Sequence, residues 1–256
     1  MRTLPRDFAE LLSQRGHRIL EGRDAAVNAH LARKGDRFLP LADALDRTRC
    51  AAALALIDRA LGPHLTPMES AIPPEAIFAM EENYAELLPK TVRVKTALLE
   101  NRRSQSSRAA ASLGLTALLN SKSFGAFAAA VSGRVLERRW GTQVLCYGPG
   151  DYSGPHNDHH PEDAEARDGY LDLHITLCTQ GVSHQWLVYA ERGHFSRIVP
   201  VHTLGGMTAY RLPFWHYTTP LVAKPRQEAN ARRWVLLGTF LYAGLAQLTG
   251  TAPPSS

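Results

Sequence analysis

The sequence predicts an α+β protein: a mostly helical first half leading into a β-sandwich or barrel. Two textures and the signals between them carry this. Residues 1–138 hold Ala- and Leu-rich stretches with apolar residues at helical spacing, whereas after Arg139 short β-prone runs recur, separated by Gly-containing turns. The expected division is a helical region over 1–138, a β core over 139–243 and a tail over 244–256.

The helical elements are read in order. Leu41 to Leu61 places Leu41, Leu45, Leu54, Ile57 and Leu61 on one stripe, and Gly62-Pro63 stops it. Pro73-Pro74-Glu75 suits a helix start for a segment running through Ile77, Met80, Tyr84 and Leu87-Leu88 to Pro89. Two more helices are expected near Ser107–Leu119 and Ser123–Glu137. Between them and the preceding segment, the polar stretch Asn101–Arg108 reads as a solvated loop or, alternatively, as a basic strip at the mouth of a site. The β runs follow: Trp140–Tyr147, Tyr170–Thr179, Gln185–Ala190, Arg197–His202, Gly206–Leu212 and Trp234–Tyr242. Gln180-Gly181, Arg192-Gly193 and Gly205-Gly206 supply turns between them.

Composition narrows the function. With 256 residues, of which 45% are hydrophobic and 21% charged, the chain can bury a core without disulfides or zinc. Cys50, Cys146 and Cys178 are far apart and form no C-x-x-C pair, against both a secreted disulfide scaffold and a zinc knuckle. No apolar run approaches the roughly 20 residues that span a bilayer, nor does one serve as a signal-peptide centre. A soluble, cytoplasmic protein with no membrane partner is expected. Twenty-nine Lys plus Arg against 24 Asp plus Glu give a net charge of +5, too mild to call for nucleic acid.

The histidines are more telling. Six of eleven (His156, His159, His160, His174, His184 and His194) fall close together, and imidazole is the commonest metal ligand. In Gly154-Pro155-His156-Asn157-Asp158, residues two apart share a face of an extended segment, so His156 and Asp158 aim together. Asp158 with His160 is a competing pair of the same spacing; His159 and His160 otherwise read as supporting or surface groups. His216, 58 positions after Asp158, is the candidate third ligand. Two imidazoles and a carboxylate leave open positions on a metal, the arrangement of non-haem Fe(II) oxygenases; a structural zinc site would be closed by four ligands. Such an iron needs a reductant, and 2-oxoglutarate supplies one while presenting a distal carboxylate. Arg232-Arg233 opens the last β run, where only one of the two can point inward. Arg233 is favoured because it shares a face with Val235, Leu237 and Thr239. His174 reads as a pocket residue or a satisfied interior group, and Arg211 as a contact for an acidic substrate or a surface residue.

These residues in this order resemble the double-stranded β-helix (jelly-roll, cupin-like) of the Fe(II)/2-oxoglutarate-dependent oxygenases, in their prolyl-hydroxylase-like branch. Cys146–Gly150 resembles the tyrosine-plus-turn segment before the first ligands, His156-Asn157-Asp158 the H-x-D motif, Trp215-His216 the distal-histidine strand and Arg233 the cosubstrate anchor. The resemblance covers Val144 to Tyr242. It implies that Fe(II) is held by His156, Asp158 and His216, and that Tyr147 and Thr176 also contact 2-oxoglutarate. It further implies hydroxylation, with O2, of an amino-acid side chain, free or in a peptide, or of another small molecule, giving succinate and CO2. The acidic stretch 161–168, the insertion Ala223–Ala231 and the helical first half depart from the pattern, which bears on substrate more than cofactor. A cupin-like metal-binding or sensing module without turnover is the alternative. Nothing in the sequence sets the oligomeric state.

Overall fold

A computed structural model describes residues 3–33, 36–71, 91–158 and 169–243. The helix expected from Pro73 to Leu88, the segment 159–168 with His159 and His160, and the tail 244–256 lie outside these residues.

Eleven strands form one strongly curled antiparallel sheet, as a jelly-roll core requires. They are β1 (Phe38–Leu41), β2 (Thr66–Ala71), β3 (Thr91–Leu98), β4 (Leu136–Tyr147), β5 (Tyr152–His156), β6 (Tyr170–Cys178), β8 (Trp186–Glu191), β9 (His194–Pro200), β10 (Gly206–Leu212), β11 (His216–Thr218) and β13 (Arg233–Tyr242). Their order is β1-β10-β6-β13-β4-β3-β5-β11-β8-β9, with β2 beside β3, while β7 (Val182–His184) and β12 (Val222–Ala223) pair separately.

The expectation of a mostly helical first half is corrected here. β1, β2 and β3 all join the sheet, and β4 begins at Leu136. β1 is an edge strand, which lets Pro40 sit exposed where no ladder donor is needed. β3 is the better lesson: Thr91-Val92-Arg93-Val94-Lys95-Thr96 is β-branched at alternate positions, and its two edges are taken by β2 and then by β4 and β5.

The helices are shorter than their apolar stripes suggest. α1 (Gln14–Leu20) precedes β1, and α2 spans Arg47–Leu61, capped by the Asp46 side chain, with Leu41 in β1 instead. The helix expected over Ser107–Leu119 is two, α3 (Gln105–Leu113) and α4 (Leu115–Leu119), because Gly114 turns left-handed at φ 91°. α5 (Lys122–Ser132) ends at Gly133 (φ 64°).

One sheet face carries Leu171, Leu173, Ile175, Trp234, Leu236 and Phe240 into a core shared with the helices. Alternation sends their neighbours to the opposite face, which lines a cavity. Asp58 of α2 accepts from Trp234 Nε1 at 3.1 Å, fastening the helix to the sheet. Among the described residues, no helix is long and apolar enough to cross a membrane.

Candidate metal centre and diacid pocket

His216 and His156 are direct partners across β11 and β5, so their rings meet with centroids 4.3 Å apart. His216 Nδ1 lies 2.9 Å from the Phe214 carbonyl, and His156 Nδ1 lies 2.6 Å from that of Gly154. Each Nδ1–H thus donates to backbone, leaving both Nε2 lone pairs for a shared point. Asp158 supplies the third side: Oδ1 is 3.6 Å from His156 Nε2 and Oδ2 is 3.6 Å from His216 Nε2. The three ligand atoms lie within 4.8 Å of one another. Burial, reinforced by His156, pushes the His216 imidazole down to about 3, so it is neutral and able to ligate.

Strand alternation is not what brings His156 and Asp158 together. β5 ends at His156, and Asp158 adopts the left-handed conformation at φ 52°. The hydroxyl of Tyr170 donates to the Asp158 carbonyl and braces that turn.

The triad faces a cavity of about 550 Å³ between the curled halves of the sheet. Its apolar wall includes Leu145, Leu187, Val235 and Leu237, and Met68 and Val92 bring β2 and β3 to it. Arg233 projects into this cavity and is 2% exposed, on the face of Val235, Leu237 and Thr239. Its guanidinium lies 5.3 Å from the Tyr147 ring centre and donates to Gln185 Oε1 at 3.1 Å. Its Nε is buried with no hydrogen-bond partner. Arg232 turns the other way, to Asp58 Oδ1 at 3.2 Å.

Tyr147 is Arg233's cross-strand partner, and burial raises its phenol pKa. Thr176 is buried on the same face but does not line the cavity. His174 does line it, whereas Arg211 donates to the Leu31 carbonyl at 3.4 Å. Asn101–Arg108 forms a loop and the first turn of α3, away from the cavity lining.

Two residues escape the motif reading. Gln185 is fully buried and donates through Nε2 to the carbonyls of Thr219 (3.0 Å) and Asp151 (3.3 Å) while its Oε1 holds Arg233. No local pattern marks it. Asp172, also on the cavity, had a signal: Tyr170, Asp172, His174 and Thr176 alternate with Leu171, Leu173, Ile175 and Leu177.

No protein-family model matches the chain, and no curated protein matches it. Solved structures do. An oxidoreductase of the 2OG-Fe(II) oxygenase family from Burkholderia pseudomallei is similar over 85% of this chain and 90% of its own, with a TM-score of 0.55 and 14% identity. The non-haem α-ketoglutarate-dependent carbocyclase SnoK from nogalamycin biosynthesis is similar over 96% and 93%, with a TM-score of 0.51 and 14% identity. At this identity the likeness is one of fold: the chain has the curled-sheet architecture of 2-oxoglutarate/Fe(II) oxygenases.

Proposed function

We propose that the protein is an Fe(II)- and 2-oxoglutarate-dependent oxygenase that hydroxylates an aliphatic C–H of an amino-acid side chain, free or in a peptide, or of another small molecule. One observation carries the reading: an open two-His, one-carboxylate cluster and a buried arginine with an unpartnered donor line the same cavity. The donor set fits Fe(II), and the buried orphan Nε fits a carboxylate, which arginine holds through two parallel bonds. A metal-binding module without turnover has no need of such an anchor.

Each residue's part follows from its place. His156, Asp158 and His216 would hold the metal, with the two backbone carbonyls fixing the imidazole tautomers and Tyr170 fixing the Asp158 turn. Arg233 would take the distal carboxylate, held in direction by Gln185 and the Tyr147 face. Leu187, Val235 and Leu237 exclude water around the diacid and strengthen that ion pair. Bound together, the iron and 2-oxoglutarate supply the oxidising chemistry, with O2 as oxidant and succinate and CO2 as coproducts. The triad and Arg233 all lie within 139–243, and Met68, Val92 and Val94 of β2 and β3 complete the cavity wall.

The test is direct. Purified protein should bind Fe(II) and 2-oxoglutarate and form succinate, and Asp158→Ala should abolish that formation. Wild-type turnover in Asp158→Ala rules out this metal site.

A further inference from the structure

On the wall of the same cavity, Asp172 and His174 of β6 and Thr239 of β13 form a polar group used neither by the triad nor by the diacid anchor. Thr239 faces Asp172 across the strands and lies six positions from Arg233 along β13, so at ~3.3 Å per residue their backbone positions are up to ~20 Å apart. Asp172 is 7% exposed, and its Oδ1 accepts from Thr239 Oγ1 at 2.6 Å. Its Oδ2 lies 3.7 Å from His174 Nε2, beyond hydrogen-bond distance, and that Nε2 is buried with no hydrogen-bond partner. The His174 ring rests on Tyr210 (4.3 Å), which in turn meets His216 (5.2 Å), linking the group to the metal cluster by two ring contacts.

A carboxylate in this position has a cost. Burial raises the Asp172 pKa against the opposing pull of His174 and Thr239. Leu237 and Val235 show that apolar side chains fit the same wall. Among the described lining residues Arg233 is the one Lys or Arg, and the acids are Glu100, Asp158 and Asp172. With Arg233 committed to the diacid and Asp158 to the metal, the formal charge left among the described lining residues is negative. Exposed Glu100 adds to it.

We infer that Asp172, with His174 and Thr239, is the substrate-recognition subsite and selects a small molecule bearing a protonated amine; the inference rests on the oxygenase reading for the roles of Arg233 and Asp158. An ammonium carries three donors, which suit Asp172 Oδ2 and, in its accepting tautomer, the His174 Nε2 that lies 3.7 Å from it without a hydrogen bond. The apolar wall takes the carbon chain. A substrate whose only charge is a carboxylate meets Asp172 and Glu100 as like charges.

The test uses the full chain loaded with Mn(II) and 2-oxoglutarate, with n-hexylamine, 1-hexanol and hexanoate as probes in saturation-transfer NMR. Hexylamine should bind at least tenfold more tightly than either analogue. Asp172→Asn should bring the three within about threefold while its 2-oxoglutarate affinity stays at the wild-type value, which reports an intact fold. Thr239→Val, which frees Asp172 from its hydroxyl donor, should keep the preference for the amine. Equal binding of the three probes by the wild type, or an undiminished preference in Asp172→Asn, overturns the subsite. Amine preference without uptake of Mn(II) or 2-oxoglutarate overturns the oxygenase reading and leaves the subsite standing; uptake of both with no amine preference does the reverse.

Discussion

Arg232 and Arg233 adjoin in the chain and part company in space, and Asp58 separates them. It takes Arg232 on the helical side, where it also holds the Trp234 indole, while Arg233 is left to the cavity under Gln185 and Tyr147. Charge-assisted hydrogen bonds are worth ~1.5–3 kcal/mol each, and ~1.4 kcal/mol is a factor of ten. Arg233→Met should therefore weaken 2-oxoglutarate binding about 100-fold, with Arg232→Met changing it less than threefold, as read by calorimetry on the Mn(II)-loaded protein. Asp172 gives a second prediction, about pH. Its folded pKa is raised above the unfolded value, so the folded state holds the extra proton, and stability declines as pH rises from the usual carboxylate range through the folded value. His174, Thr239 and the more distant Asp158 are the groups that modulate it. Asp172→Asn keeps an acceptor for Thr239 and removes the buried charge. It should flatten that decline and raise the melting temperature at neutral pH, by about 2–4 °C for each kcal/mol recovered. Unfolding scans from pH 4 to 8 check both; an unchanged slope would mean that Asp172 is not the group responsible.

Between elements, one close join is that of α5 on β13 at Gly238. A Cβ built on Gly238 would come within 2.5 Å of the Phe124 ring, so only glycine lets the helix seat there. Gly238→Ala should cost ~1–3 kcal/mol by overpacking, and the added Phe124→Leu should return part of it, in urea unfolding of the single and double variants. Sequence patterns disclosed much at this scale and stopped at identifiable points. β6 and β10 are plain because alternation runs their full length, and β13 because Trp234–Leu237 and Phe240–Tyr242 form a nearly continuous apolar, β-prone run. β3 carries an equally good alternation, but the helical character of its surroundings obscured it. The break at Gly114 was visible as a residue, yet a glycine within an Ala- and Leu-rich stripe does not say whether it is tolerated or turns left-handed. The Asp158 turn was hidden more deeply, since its φ of 52° depends on a donor, Tyr170, twelve residues away.

Across the whole molecule, the two groups the site needs arrive from opposite walls of the cavity. His156 and His216 sit on β5 and β11, whereas Arg233 sits on β13, and β4 and β3 separate them in the sheet order. The sequence could place these residues in order because ligand motifs are local in the chain. It could not place Gln185, whose three side-chain bonds join Asp151, Thr219 and Arg233 and have no local signature. Metal and diacid bound together would tie β5 and β11 to β13 through the cavity, so ligation should stabilise the whole fold rather than one hairpin. A ligand at 100 times its Kd contributes ~2.7 kcal/mol, or about 5–10 °C in a chain of this size. Mn(II) alone should raise the melting temperature, and 2-oxoglutarate should raise it further only when the metal is present. Asp158→Ala should lose both increments, and Arg233→Met should lose the second alone. An increment from 2-oxoglutarate that persists in Arg233→Met would show that the diacid binds somewhere other than behind the metal, and the pairing of these two walls into one site would fail.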